Sequence, residues 1–277
     1  MADIYYKGHT GREIQFNNGV YNLNRATDLF SYEWGYSSSQ YADRIESFNL
    51  AYVKRKFEIG IMAVSDEDYE NALREINDVF DFDVRTTQHG RLYCNDRYLN
   101  CYIYKNGQGT YDRRKNVVVR PYTLIAENGQ WIREKTYATI PSGQEELDRG
   151  IDYPHDYPHD YAWDSTFDKV VNDSVEEADF KLTIYGPAVL PDVTVGDNHY
   201  AMGMTIYSGD RIVIDSIKKT VTLNSNGTET NVFYNRVRGL DIFKKIPIGE
   251  SALDRNGQFD VTLVVYDYRS EPEWWKD

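Results

Sequence analysis

The stretch Arg211-Ile212-Val213-Ile214-Asp215-Ser216-Ile217-Lys218-Lys219-Thr220-Val221-Thr222-Leu223-Asn224-Ser225-Asn226-Gly227 reads as strand, turn, strand and turn. The β-branched runs Ile212–Ile214 and Thr220–Thr222 suit a pleated, half-buried surface. Asn226-Gly227 then supplies two residues that tolerate positive φ, which a type I′ hairpin requires at both central positions. The same dipeptide recurs at Asn18-Gly19, Asn106-Gly107, Asn128-Gly129 and Asn256-Gly257. Turns spread over the whole length predict hairpins throughout.

The flanking segments carry the same pattern. Ile4-Tyr5-Tyr6, a polar Gly8–Gly11 turn and the alternating Glu13-Ile14-Gln15-Phe16 predict an opening hairpin. Val117–Val119, Tyr122–Ile125, Phe180–Ile184 and Phe259–Val265 read as further strands. One segment departs from period two. Tyr69, Ala72, Leu73, Ile76, Val79 and Phe80 recur at spacings of three and four, which predicts an amphipathic helix over 66–80. Ser65 is placed to cap it, and Asp66, Glu67 and Asp68 favour the positive end of its dipole.

The character changes between Ile140 and Trp163. Pro141, Ser142, Gly143 and Gly150 weaken regular structure, and a tandem Pro-His-Asp-Tyr repeat follows over Pro154–Tyr161. Proline at every fourth position forbids a regular helix or a central strand. This reads as a linker or arm at 140–162 between an N-terminal domain of strands plus one helix, 1–139, and a C-terminal β-sandwich, 163–277. The fold class expected is mostly β with two β-rich domains. The first is sandwich- or split-barrel-like.

The chain has 277 residues, with 31 Lys and Arg against 44 Asp and Glu, a net charge of −13. Such a surface repels phosphate backbones and anionic headgroups, which disfavours tight nucleic-acid binding. No apolar run approaches the roughly 20 residues of a membrane helix. The start, Met1-Ala2-Asp3-Ile4, lacks the basic segment and apolar core of a secretory signal. Cys94 and Cys101, on either side of a turn-like Asn95-Asp96-Arg97, are therefore expected to be plain thiols rather than a disulfide.

Catalytic and cofactor signatures are absent: no nucleophile elbow, P-loop, dinucleotide fingerprint or His-Glu-x-x-His occurs. His155 and His159, with Asp156 and Asp160, are the candidate metal ligands. Proline removes the helix that would align two histidines four apart, so a solvated linker is the favoured reading. Twenty-four tyrosines stand out. Tyr joins apolar area to a polar tip and serves half-buried sheet faces and subunit contacts alike. Exposed aromatics in the second half leave open a carbohydrate-binding or adhesion module.

The order of pieces along nearly the whole chain resembles the distal tail protein (Dit) family of long-tailed phages. It opens with Tyr5-Tyr6-Lys7-Gly8-His9-Thr10-Gly11-Arg12-Glu13-Ile14, then Leu29-Phe30-Ser31-Tyr32-Glu33-Trp34 and the helix from Asp66. Asp179–Ala188 resembles the family's entry into its C-terminal domain, followed by Gly209–Asp215, Ile242–Gly249 and Arg269-Ser270-Glu271-Pro272. The Pro-His-Asp-Tyr repeat is outside the family pattern. The resemblance implies a virion structural protein of the tail tip, made in the bacterial host cytoplasm and without enzymatic activity or cofactor. It implies a hexameric ring through the N-terminal domain, with a galectin-like C-terminal β-sandwich outside. The implied partners are other copies of the chain, the tail tube protein, the tail-associated hub protein, receptor-binding proteins and the tape measure protein. Tyr5, Tyr6, Phe30, Tyr32, Trp34, Trp274 and Trp275 are the candidate assembly contacts.

Overall fold

The computed structural model describes residues 2–25, 28–39, 44–49, 52–112, 117–139 and 169–273. The chain divides into two compact units, Met1–Arg133 with Tyr268–Asp277, and Glu134–Asp267. The expected linker at 140–162 lies outside the described residues.

In the first unit, β1 (Ile4–Lys7) lies between β2 (Glu13–Gln15) and β8 (Gly90–Cys94), and β8 pairs with β9 (Arg97–Asn106). The short β3 (Asn17–Asn18) and β4 (Tyr21–Arg25) lead to β5 (Gly35–Ser38), β6 (Ile45–Asn49) and the long β7 (Val53–Ile61). Helix α1 (Asp66–Thr86) separates β7 from β8. After β9 come β10 (Thr110–Asp112), β11 (Val117–Ala126) and β12 (Trp131–Thr139), whose residues from Glu134 on belong to the second unit. β9 turns the corner between two sheet segments. Its first half pairs with β8 and its second half with β11, which pairs in turn with β7 and β7 with β4. Alternate residues of both segments and the stripe Ala72, Ile76, Val79 and Phe80 of α1 enclose one core.

The helix is six residues longer than its apolar stripe predicts. Ser65 caps it as expected, accepting from the Asp68 N–H, and Thr87 ends it in the left-handed region. The extension was hidden because a carboxylate, Asp83, occupies the buried face while Phe82 and Val84 point outward. Asp83 is kept there by two donors. Tyr6 donates its hydroxyl to Oδ2 at 2.7 Å, and the His9 N–H donates to Oδ1 at 2.9 Å.

Cys94 stands opposite Arg97, and Cys101 opposite Gly90, so the hairpin register keeps the thiols unpaired. Burial pushes both up to about 12 from an ordinary 9.0. Native protein should therefore leave both unreacted with a thiol-specific disulfide reagent, and both should titrate after denaturation. Burial also raises Tyr5, Tyr6, Tyr21 and Tyr200 above their ordinary 10.0. These groups hold their protons more tightly folded than unfolded. Their stabilisation is intact below pH 9 and is lost as pH climbs towards 12, by about 1.4 kcal/mol per pH unit for each thiol. Arg55, lowered to about 10 by burial, acts with the opposite sign above that pH but is outnumbered. Denaturant midpoints should hold up to about pH 9 and fall from there to pH 11; a flat profile would contradict the burial of these groups.

The second unit is a β-sandwich. One sheet runs in the order β21 (Thr228–Asn231), β20 (Thr220–Ser225), β19 (Arg211–Asp215), β14 (Asp179–Tyr185), β23 (Val261–Arg269). The other runs β13 (Lys169–Asn172), β22 (Gly249–Arg255), β16 (Asp192–Val195), β17 (Asn198–Ala201). The short β15 (Ala188–Val189) and β18 (Thr205–Ile206) pair with each other. Phe180, Leu182, Ile214 and Leu263 from the first sheet share one core with Val170, Val193, Tyr200 and Leu253 from the second.

The Asn-Gly signal was only partly a hairpin signal. Asn226-Gly227 closes β20 on β21 with both residues at positive φ. Asn18-Gly19 starts a tight turn, with Gly19 at φ +74° and Asn18 opposite Tyr21. The other three join strands that do not pair with each other. Asn256 instead ties loops together, accepting from the Asp192 N–H and donating to the Leu190 carbonyl. Val117–Val119 and Tyr122–Ile125, expected as separate strands, are one strand through Pro121. β9 ends at Asn106, opposite Tyr122, so its ladder stops before the proline.

Candidate assembly surface

The aromatic residues singled out in the sequence separate sharply by environment. Tyr6 is 0% exposed, and its ring meets Phe80 edge-on at 5.1 Å. Tyr5 is buried on the opposite face of β1, stacked on Tyr93 with centroids 4.5 Å apart and planes at 6°. Both side chains are taken up by the unit's own interior. Phe30 is half-buried and tilts against the buried Trp131 at 5.9 Å. Tyr32 and Trp34 are exposed, at 53% and 38%. Trp274, Trp275, His155 and His159 lie outside the described residues. Among the described residues no group of three metal-ligating side chains gathers, and no helix is long and apolar enough to cross a membrane.

Tyr32 and Trp34 lead into a feature the sequence did not announce. β5 and β6 form a two-stranded sheet paired with no other described strand. Every described side chain of the hairpin is exposed. Tyr36 stands directly opposite Phe48, so the two share one face, at 66% and 60% exposure. Ser37 and Ser47 face each other on the other side, their hydroxyls 2.7 Å apart. Ile45 and Tyr52 are also more than half exposed.

A lone two-stranded hairpin is marginal in water. Contiguous exposed aromatics on such an element mark an interaction surface. Burying each of these side chains against a partner would contribute about 1.5–3 kcal/mol. The missed signal was Ile45 and Phe48 on one side and Trp34 and Tyr36 on the other, in stretches too short, too irregular in spacing and too rich in Ser to read as a strand pair.

No family model matches the chain, and no curated protein does. Its fold is that of phage baseplate and tail-hub proteins. SPP1 Dit, described as a paradigm of the hub adsorption apparatus in phages infecting Gram-positive bacteria, aligns over 97% of this chain and 99% of its own, with TM-score 0.59 and 9% identity. A chain of the phage P2 baseplate in its activated conformation with Ca aligns over 98% and 99%, with TM-score 0.58 and 13% identity. A chain of the baseplate with Sr aligns over 98% and 100%, with TM-score 0.60 and 12% identity.

Proposed function

We propose that this chain is a distal tail protein, a structural subunit of a phage tail tip with no catalytic role. Six copies close into a ring through the N-terminal domain, 1–139. The ring joins the tail tube to the tail-associated hub protein, and the C-terminal domain, 163–277, carries receptor-binding proteins outside. The observation that carries this reading is the exposed aromatic hairpin β5–β6, on a chain whose fold is matched end to end by baseplate and hub proteins. A ring needs a surface on each copy that is incomplete alone and fits a different surface on the next. Aromatic anchors such as Tyr32, Trp34, Tyr36 and Phe48 carry the energy of such contacts. The net charge of −13 suits a wall that DNA passes without sticking.

The test is electron microscopy and sedimentation of the purified chain over a range of concentrations. Six-membered rings are expected. Tyr36→Ser with Phe48→Ser should reduce them to monomers with an unchanged circular dichroism spectrum. A chain that stays monomeric at every concentration, or a double variant that still forms rings, would refute the proposal. A monomer that binds glycans on an array would favour an adhesion module.

A further inference from the structure

The second unit carries a concentration of cations without carboxylate partners among the described residues. Lys219 sits in the β19–β20 turn with Nζ 5.3 Å from the centre of the Phe243 ring. Phe243 stacks on Phe233, centroids 5.7 Å apart and planes at 5°. The Arg236 guanidinium carbon lies 3.8 Å from the centre of the Phe233 ring, and its Nη1 donates to the Phe233 carbonyl at 3.1 Å. Each of the two stacked rings thus carries a cation against it. Lys218 and Lys244 adjoin it in sequence.

None of these four cations makes an ion pair among the described residues, whereas the neighbouring Lys245 is held by Asp179 at 2.9 Å. The nearby carboxylates are engaged by backbone. Asp241 accepts from the Phe243 N–H, and Asp215 from the N–H groups of Ile217 and Lys218. On a protein with 13 more acidic than basic residues, an unpaired basic cluster marks a place for negative charge.

Exposed apolar side chains near these residues in sequence narrow the kind of negative charge. Tyr234 is 89% exposed, Ile248 58% and Ile217 50%. A purely hydrophilic polyanion would leave these side chains in water. An acidic peptide bearing aromatic residues would cover them. A guanidinium also presents planar donors that match a carboxylate.

The chain itself contains such a peptide. Residues 140–168, outside the described region, hold eight carboxylates against one arginine. They also hold Tyr153, Tyr157, Tyr161, Trp163 and Phe167, several within the Pro-His-Asp-Tyr repeat. The attachment point is close. Lys169 opens β13, and Asn172 at its other end donates to the Ile246 carbonyl at 3.1 Å, three residues from Phe243. A span of 29 residues reaches up to about 100 Å when extended, so distance is no obstacle. Tethering raises the effective concentration to about the millimolar range, so a weak contact suffices.

We propose that the acidic, aromatic segment 140–168 docks on the basic stack around Lys219, Phe243, Phe233 and Arg236 of its own chain. The proposal is independent of ring formation. Its function is to hold the segment against the second unit by charge, releasable by salt or by a competing acidic partner.

The test is zero-length carbodiimide cross-linking of the full chain, which joins Lys directly to Asp or Glu, read by mass spectrometry on a mixture of isotopically light and heavy protein. Links from Lys218, Lys219 or Lys244 to carboxylates of 145–168 are expected within single copies. Their yield should fall about fivefold or more between 50 mM and 0.5 M NaCl as the Debye length shrinks. Arg236→Gln, which leaves every cross-linkable lysine in place, should lower the yield as well. Lysines that link only to carboxylates elsewhere would overturn the proposal. So would a yield indifferent to salt, or links found only between light and heavy copies.

Discussion

Tyr6→Ala is expected to unfold the first unit or bring it close to unfolding. The side chain is fully buried and meets Phe80 edge-on, and its hydroxyl is one of two donors to the buried Asp83. Truncating a buried aromatic costs about 3–5 kcal/mol, and depriving a buried carboxylate of a donor adds about 1–3 kcal/mol. The sum is comparable with the whole stability of an ordinary domain, about 5–15 kcal/mol. Tyr6→Phe isolates the second contribution and should cost about 2 kcal/mol. Hydrogen exchange read peptide by peptide reports each unit separately. In Tyr6→Ala, peptides from α1 and β9 should lose protection while those of β14 and β19 keep it. Wild-type protection in α1 would show that the Tyr6–Asp83 bond does not tie helix to sheet.

The second large effect is expected from Gly186→Ala. An added Cβ would lie 1.9 Å from the Tyr207 carbonyl oxygen and 2.7 Å from its carbon. The obstacle is backbone, and it is fixed from two sides. The Tyr207 carbonyl accepts from the Asp210 N–H at 3.1 Å, and the Gly186 N–H donates to the Asp210 carbonyl at 2.9 Å. With no flexible side chain to give way, the cost should exceed about 3 kcal/mol, beyond ordinary overpacking. Gly209→Ala is the informative control. Gly209 has φ +87° but open space around it, so only conformational strain of about 1 kcal/mol applies. If the two variants exchange alike across β14, β19 and β20, the close approach at Gly186 is not what fixes this corner.

The two substitutions mark the limit of what was legible in the sequence. The apolar stripe of α1 gave its first fifteen residues, because a helix repeats its buried face every three or four positions. Its last turn and a half was hidden by Asp83, whose burial makes sense only once Tyr6 and His9 arrive from 70 or more residues away. Gly186 carried no signal of its own in the sequence, since the Tyr207 carbonyl it touches lies beyond four intervening strands, β15 to β18. The assembly surface was half visible: Tyr32 and Trp34 were singled out, while Tyr36, Ile45, Phe48 and Tyr52 were not.

The sequence by itself determined the class of architecture, strands throughout with a single long helix. Alternation and helical spacing are local properties, written within a few residues and decided by which side of an element meets water. It did not determine the role of each tyrosine. Tyr5 and Tyr6 enter the interior while Tyr32 and Tyr36 stay outside, although the side chains are identical. Tyr satisfies either environment, and only the strands or helix packed above it settle which one it occupies. The same holds for the Asn-Gly pairs, whose local geometry permits a hairpin but whose neighbours decide whether the two flanking strands ever meet.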